Sequence, residues 1–189
     1  VFGYDTGPGN CLMDIWSREH IRKDYDEEGN WAASGTSEEE LLKIMLNDDY
    51  FKKNYPKSTG PDYFNLNWIY QAISKCERTF QPQDVQATLL QLTVKTLTEG
   101  LLELELNNDE IIFYCGGGLH NKYLMGQIEK ELEREIFSTY ELGVNPDYLE
   151  AISFAWFAKQ RIDGRSFELS NITGSKGKVF LGTITEPSK

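Results

Sequence analysis

Apolar positions at helical spacing begin close to the amino-terminal end of the chain. Leu12, Ile15 and Trp16 recur at the intervals that place side chains on one face of a helix. The pattern predicts a helix that opens at Cys11 and continues toward Arg22. This helix follows directly on a glycine-containing turn.

Two shorter helices are predicted on either side of a polar connection. Ser37 and Glu40 form a capping-box pattern in front of an apolar segment at 41–46, which predicts a short helix there. Residues 47–65 are rich in Asn, Asp, Lys, Pro and Gly, which indicates a long surface connection. Another helix is predicted over 66–75.

The longest helix is predicted to begin near Pro82, because proline is tolerated in the first turn of a helix. Its apolar stripe consists of Val85, Leu89, Leu92, Leu97, Leu101 and Leu104. The pair Asn107-Asn108 is expected to end it.

Strand, glycine turn and helix follow one another twice. The strand-forming run Val1–Tyr4 leads into a turn at 6–10 before the first helix. A strand predicted over Ile111–Cys115 leads into Gly116–Gly118 and then into a helix over Tyr123–Arg134. This alternation of strands and helices places the fold in the α/β class.

Toward the carboxyl end, the pattern predicts an unusually apolar helix. Residues 146–159 form a helical segment that is apolar almost all round, and Val179-Phe180-Leu181 is a predicted last strand. Between Tyr148 and Ala158, Glu150 is the only charged residue, and it shares a face with Phe154 and Phe157. An unpaired carboxylate is costly to bury, so Glu150 is expected to meet a cation, sugar hydroxyls or a domain partner. An exposed glutamate favoured by the helix dipole is the equal alternative.

The composition limits the classes of partner. A formal net charge of −11 disfavours nucleic acid, because such binding relies on Lys and Arg to neutralise phosphates. No apolar run approaches the roughly 18 residues of a membrane span, so no membrane association is predicted. Three scattered cysteines indicate a reducing cytoplasm, and two widely separated histidines give a zinc site little support, so no metal ligand is predicted.

The first candidate motif is the turn that runs from Asp5 to Asn10. Gly7 and Gly9 leave the backbone free of Cβ atoms, so its N–H groups can approach an anion such as the phosphates of a nucleotide, assisted by the following helix. Asp5 would lie at the carboxyl end of its strand, where a carboxylate beside bound phosphate is a natural general base. The alternative interpretation is a plain turn between two elements.

The second candidate motif contains three consecutive glycines. Gly116–Gly118 stand between a strand and a helix, where a ligand such as a purine ring could lie flat against the backbone. A tight strand-to-helix turn with Asn121 as the helix N-cap is an equally good interpretation. His120 is expected to be a loop residue rather than a catalyst.

Taken together, three strings resemble the anhydro-N-acetylmuramic acid kinase family. They are Gly-Tyr-Asp-Thr-Gly-Pro-Gly-Asn at 3–10, Cys-Gly-Gly-Gly-x-His-Asn at 115–121 and Leu-Glu-Ala-x-x-Phe-Ala-Trp at 149–156. Shorter strings that also look familial occur at 57–60, 64–66, 171–174 and 181–184. The resemblance therefore spans nearly the whole chain.

The resemblance implies a two-lobed fold of the sugar kinase, Hsp70 and actin superfamily. Residues 1–170 are then expected to form the second, nucleotide-binding lobe, an actin-like ATPase (ribonuclease H-like) lobe with a mixed sheet flanked by helices. Residues 171–189 are expected to be a C-terminal tail that returns toward the first lobe. ATP and Mg²⁺ are expected in the cleft between the lobes.

The resemblance also implies a reaction and residue roles. Members of the family open the 1,6-anhydro bridge of 1,6-anhydro-N-acetylmuramic acid by adding water while phosphorylating the released O6. Asp5 matches the catalytic base and Glu150 matches a substrate-contacting carboxylate. The residues expected near the phosphates are Thr6, Gly7, Gly9 and Asn10, and those expected near the adenosine are Gly116, Gly117, Gly118 and Asn121.

One feature departs from the family. Its Gly-Thr-Ser-x-Asp-Gly phosphate loop does not occur in these 189 residues, and the sequence starts at Val1 without a methionine. The chain is therefore expected to be a carboxyl-terminal half that lacks the N-terminal lobe and is inactive alone. The resemblance implies that the complete protein is a cytoplasmic homodimer that acts in cell-wall (peptidoglycan) recycling. Two alternatives are a levoglucosan kinase-like anhydro-sugar kinase and a nucleotide-binding module without catalytic activity.

Overall fold

The computed structural model describes residues 3–104, 106–107 and 109–185. The α-helices of this part are α1 (Cys11–Ile21), α2 (Asn30–Ser34), α3 (Glu39–Leu46), α4 (Leu66–Ile73), α5 (Pro82–Leu102), α6 (Lys122–Leu132), α7 (Leu149–Ile162) and α8 (Ser170–Thr173). The strands are β1 (Ile112–Tyr114), β2 (Ile136–Ser138), β3 (Phe167–Glu168) and β4 (Lys178–Val179). Short 3₁₀ helices cover Glu27–Gly29, Gly117–His120 and Thr139–Leu142.

The central element is α5, which contacts α1, α2, α3 and α6. It begins at Pro82 as predicted, and Leu89, Leu90 and Leu92 on it are almost completely buried. Each fully buried leucine contributes roughly 1.5–3 kcal/mol to folding, so this helix is a main source of stability. It ends at Leu102, about one turn earlier than the expected stop at Asn107-Asn108, of which Asn108 lies outside the described residues.

The predicted start of α3 is wrong in detail. The N-cap is Glu38, and its side chain makes no capping hydrogen bond, so the expected capping box at Ser37 and Glu40 does not form. Instead the backbone N–H of Glu38 donates to Thr88 Oγ1 on α5 at 2.9 Å. A contact between distant parts of the chain therefore determines where this helix begins. The predicted helices that became α1 and α4 are confirmed.

The connection between α3 and α4 was predicted to run along the surface, but part of it belongs to the core. Tyr50 and Phe64 are almost completely buried, and their rings pack edge to face at 5.3 Å. Their apolar area explains why a segment without helix or strand is held firmly against the core.

The described residues form two small sheets rather than the expected single mixed sheet. β1 and β2 pair in parallel, with Ile112 opposite Ile136, and β3 and β4 pair antiparallel. Gly3 and Tyr4 are not in a strand, whereas the start of that predicted strand, Val1-Phe2, lies outside the described residues. β3 and β4 lie on either side of residue 170, and the expected domain boundary there stays a prediction.

The carboxyl-terminal part packs loosely on the rest. All the buried hydrophobic residues of the described part lie between Leu12 and Ile136, and within α7 only Gln160 is buried. Phe154 is 63% exposed and Trp156 is 48% exposed. The helix that the sequence predicted to be apolar almost all round therefore leaves much of its apolar surface uncovered. No helix in the described ranges combines the length and hydrophobicity needed to cross a membrane.

Candidate active site

A cavity of about 380 Å³ brings the two glycine motifs together. Asn10, at the start of α1, lies on one side, and Gly117, Gly118 and Asn121 lie on the other. The remaining lining residues are Asp14, Tyr25, Asp26, Glu28, His120 and Asp147. A volume of this size is within the range of roughly 300–1,000 Å³ that is typical of small-molecule sites.

Each glycine of the second motif meets a different requirement. Gly116 has φ = 86°, a conformation that favours glycine. A Cβ atom on Gly118 would come within 2.7 Å of the Tyr114 hydroxyl, so a side chain fits there only if Tyr114 shifts. A Cβ atom on Gly117 would meet nothing within 4 Å. Gly117 thus borders the cavity without a packing reason of its own.

Asn121 has the structural role that the alternative interpretation predicted. Its Oδ1 atom accepts from the N–H of Leu124 at 2.9 Å and caps α6. A Cβ atom on Gly29 would lie 2.2 Å from that same oxygen, so the Asn121 amide packs directly against Gly29. The buried part of Asn121 therefore joins α6 to the 27–29 turn at the edge of the cavity.

Four carboxylates lie around the cavity, and each already has a partner. Burial raises the pKa of Asp14 above its usual value. Asn10 Nδ2 donates to Asp14 Oδ2 at 2.7 Å, and this hydrogen bond offsets only part of the rise in pKa. The buried Asp26 accepts from two backbone N–H groups of α2, at 2.9 and 2.8 Å. Glu28 pairs with Lys122, and Asp147 pairs with His120 at 2.8 Å.

These acidic residues were not predicted from the sequence. Asp14 and Asp26 lie in the first part of the chain, Asp147 lies far from both, and the three carry no recognisable spacing. Folding places them at one cavity, together with a loop histidine, His120, which was expected to have no catalytic part. No group of three or more His, Cys, Asp or Glu side chains among residues 3–104, 106–107 and 109–185 is arranged to hold a metal ion.

Asp5 lies outside this cavity and is exposed, and the segment 57–59 holds it. Its Oδ2 atom accepts from Ser58 Oγ at 2.8 Å and from the N–H of Thr59 at 2.9 Å. The backbone carbonyl of Asp5 accepts from the hydroxyl of Tyr50 at 2.7 Å. The carboxylate is therefore oriented by donors from a different part of the chain.

The rest of the first motif packs against α5. A Cβ atom on Gly7 would lie 2.9 Å from Thr96 Oγ1, and the carbonyl of Gly9 accepts from Thr93 Oγ1 at 2.7 Å. The side chain of Thr6 lies against Gly100 and not in the cavity that Asn10 borders. Asn10 is thus the predicted phosphate-side residue that the structure brings to the glycine turn, whereas Thr6, Gly7 and Gly9 do not line that cavity.

Glu150 was expected to meet a cation, sugar hydroxyls or a domain partner. It lies in the first turn of α7 and is exposed, and no hydrogen bond or ion pair joins it to another described residue. This matches the alternative interpretation, in which a negative charge near a helix start is favoured by the helix dipole. The exposure follows because α7 turns little of its surface toward the core, and the contact of Glu150 with sugar hydroxyls or a domain partner stays a prediction.

Comparison with known proteins gives a consistent result. The chain matches a family model described as anhydro-N-acetylmuramic acid kinase over residues 1–187. Anhydro-N-acetylmuramic acid kinases of Aliivibrio fischeri (strain ATCC 700601 / ES114) and Pseudomonas syringae pv. tomato (strain ATCC BAA-871 / DC3000) are each 44% identical over 185 residues, covering 97% of this chain and 50% of the relative. The kinase of Coxiella burnetii (strain Dugway 5J108-111) is 40% identical over 187 residues, covering 97% and 49%.

The chain therefore spans about half the length of the curated relatives it matches. This coverage does not bear out the expectation that the chain is the carboxyl-terminal half.

Proposed function

The chain belongs to the anhydro-N-acetylmuramic acid kinase family, and we propose that it forms part of an ATP-dependent kinase that opens and phosphorylates 1,6-anhydro-N-acetylmuramic acid. The observation that supports this best is the shared cavity of Asn10 and the Gly117-Gly118 turn, since two motifs about a hundred positions apart meet at one site of ligand size. An actin-like lobe, a cytoplasmic homodimer and a place in cell-wall recycling belong to the same proposal.

In the proposed reaction, the oxygen of water forms a bond to C1 of the sugar while the bond between C1 and the bridging O6 breaks and leaves its electron pair on O6. Asp5 accepts a proton from that water, which leaves the oxygen free to form its bond to C1. ATP supplies the phosphoryl group that O6 receives, and the products are N-acetylmuramic acid 6-phosphate and ADP. Glu150 is proposed to contact the sugar, because its exposed carboxylate at the start of α7 is free to accept from hydroxyl groups.

The cavity is proposed to hold the adenosine end of ATP beside Gly117, with the phosphates toward Asn10 and the start of α1. Helix N-termini attract anions, and α1 presents its first turn at this edge. Among the described residues, no Lys or Arg lines the cavity, and its carboxylates would repel phosphate. Positive charge must therefore come from elsewhere in the complete protein and from Mg²⁺ carried with the nucleotide, to which no residue here is assigned.

The proposal is tested first with the complete gene product. We expect ADP release from ATP in the presence of 1,6-anhydro-N-acetylmuramic acid, with a kcat/KM at least about tenfold above that with levoglucosan, a difference of about 1.4 kcal/mol in transition-state binding. A preference for levoglucosan would favour the alternative anhydro-sugar kinase. Nucleotide binding without turnover of either sugar would favour a non-catalytic module.

A second prediction concerns the placement of the nucleotide. Gly117→Val should weaken ATP binding by about tenfold or more while the KM of the sugar changes less than about twofold, because a branched side chain would enter the proposed adenosine space. Since no atom lies within 4 Å of a Cβ at Gly117, the fold itself should accept the change. Isothermal titration with ATP and steady-state kinetics give the two numbers.

Gly126→Val is the matched control for this substitution. A Cβ atom on Gly126 would likewise meet nothing within 4 Å, but this glycine is exposed on α6 and does not line the cavity. We expect the ATP affinity of this variant to stay near that of the unaltered protein. Equal losses for ATP and sugar in Gly117→Val, or the same loss in both variants, would contradict this placement of the nucleotide.

A further inference from the structure

The two oxygens of the Asp5 carboxylate differ in their hydrogen bonds. Both donors from the 57–59 segment, the Ser58 hydroxyl and the Thr59 N–H, converge on Oδ2 at 2.8 and 2.9 Å. No hydrogen bond joins Oδ1 to another residue in the described part of the chain. One oxygen is therefore anchored, and the other is left to accept.

A backbone contact fixes the same pair of segments in register. The N–H of Asp5 donates to the carbonyl of Lys57 at 3.1 Å. Together with the two bonds to Oδ2, this gives three hydrogen bonds between residue 5 and the segment 57–59. Two of these bonds hold Oδ2 of the carboxylate and the third fixes the backbone of Asp5, so the side chain has little freedom to rotate and the direction of its second oxygen is defined.

Tyr50 holds Asp5 from the side of the core. It is only 1% exposed, and its hydroxyl donates to the carbonyl of Asp5 at 2.7 Å. Burial, with a smaller contribution from the charge of Asp5, raises the pKa of Tyr50 to about 12. The hydroxyl therefore remains protonated, and remains a donor, throughout the pH range in which an enzyme of this kind would work.

Asp48 in turn fixes Tyr50 and the surrounding connection. Its Oδ1 atom accepts from the N–H of Tyr50 and from the hydroxyl of Tyr63, and its Oδ2 atom accepts from Trp68 Nε1 on α4. Burial works to raise the pKa of Asp48, but these three hydrogen bonds outweigh it and the pKa is lowered. The connection that precedes Ser58 is therefore held in place by these contacts and is not a free loop.

We propose that Ser58 is a positioning residue, whose hydroxyl holds Oδ2 of Asp5 so that Oδ1 is directed to accept the proton of the attacking water. This inference rests on the proposed role of Asp5 as the general base. Ser58 itself is exposed, so the loss of its hydroxyl should cost the fold little. An effect on turnover without an effect on stability would then identify a role in orienting Asp5.

The test uses the complete gene product and three serine variants. Ser58→Ala removes the donor, Ser58→Thr retains a hydroxyl, and Ser74→Ala is the control. The Ser74 hydroxyl also makes one exposed hydrogen bond, to the carbonyl of Gln71 at 2.9 Å at the end of α4, and has no contact with Asp5. Measurements are kcat, the KM of the sugar, the Kd of ATP and the thermal midpoint.

We expect Ser58→Ala to lower kcat about tenfold, with KM, Kd and the thermal midpoint unchanged. Ser58→Thr should recover at least about half of the lost kcat, and Ser74→Ala should resemble the unaltered protein. A kcat for Ser58→Ala within about twofold of the unaltered value would overturn the inference. So would a loss that Ser58→Thr does not recover, or one accompanied by equal changes in KM and thermal midpoint.

Failure of this inference can be told from failure of the proposed function. If Asp5→Asn keeps substantial turnover, Asp5 is not the general base, and the part of the proposed function that assigns it this role is wrong. If Asp5→Asn is inactive while Ser58→Ala is fully active, only the positioning role of Ser58 is lost. The same assay on the same preparation gives both answers.

Discussion

Asp5→Asn should lower kcat by about 10³-fold, or about 4 kcal/mol, while the Kd of ATP stays nearly unchanged. The structure makes this substitution especially informative. The oxygen of the new amide can take the place of Oδ2 and keep both hydrogen bonds from Ser58 and Thr59. The NH₂ group then occupies the place of Oδ1 and cannot accept a proton. The substitution therefore removes the proton acceptor and keeps the hydrogen bonds that surround it.

Asp62→Asn is the matched control for this variant. Asp62 is an exposed aspartate in the same connection, and its carboxylate makes no hydrogen bond or ion pair with another described residue. It should keep the kcat of the unaltered protein in the same ADP-release assay, with nucleotide titration alongside. An Asp5→Asn variant that kept a tenth of the unaltered kcat, a loss of only about 1.4 kcal/mol, would show that Asp5 is not the base.

The second large effect concerns the 189-residue chain taken by itself, which should give no measurable turnover. The chain spans about half the length of its curated relatives, and the part of it that the structure describes brings no Lys or Arg to the cavity that joins its two glycine motifs. A triphosphate beside four carboxylates needs cations that these residues do not provide. Transfer also requires donor, acceptor and base to be held to within about an ångström, which half of a divided site cannot do.

The exposed surface of α7 leads to the same expectation. Phe154, Trp156 and Ile162 are about half exposed or more, and such apolar surface is typical of a face that packs against further polypeptide. The isolated chain should therefore bind a hydrophobic dye, and the signal should fall when a separately expressed remainder of the protein is added. Some turnover should return at the same time.

The assay compares ADP release by the purified chain with and without that remainder, in the presence of ATP and 1,6-anhydro-N-acetylmuramic acid. A matched mixture that contains Asp5→Asn in the chain is the control, since it should remain inactive after mixing. Robust turnover by the chain alone would contradict both the division of the site and the proposed need for outside cations.

Local patterns predicted the helices well because their causes are local. The apolar spacing after Cys11 and the proline at the start of α5 each identified a helix that the structure contains. The strand β2 was missed because three residues are too short to show a period, and it is stabilised by pairing with β1 rather than by its own sequence. The start of α3 was misplaced for a similar reason, since Thr88 on α5 determines it.

Some residues of the candidate site could likewise be recognised from local sequence, whereas others are brought together only by folding. The glycine turns and Asp5 could be recognised from the sequence, because glycine allows backbone conformations that other residues disfavour and aspartate carries a charge and favours turns. By contrast, Ser58 and Tyr50 meet Asp5 only because the 47–65 connection folds back onto the start of the chain. Glu150 was expected to be partnered, and its exposure depends on how little of α7 the rest of the chain covers.

The family, the order of the main helices and the two glycine motifs can be identified from the amino-acid sequence, because each depends on residues close together along the chain. Folding is needed to bring Asn10 and Gly117 to one cavity, to surround that cavity with four carboxylates and to place Ser58 on the carboxylate of Asp5. These contacts join positions that lie far apart along the chain. The free energy that brings them together comes from the burial of α5 and of side chains such as Tyr50, which no short stretch of sequence contains.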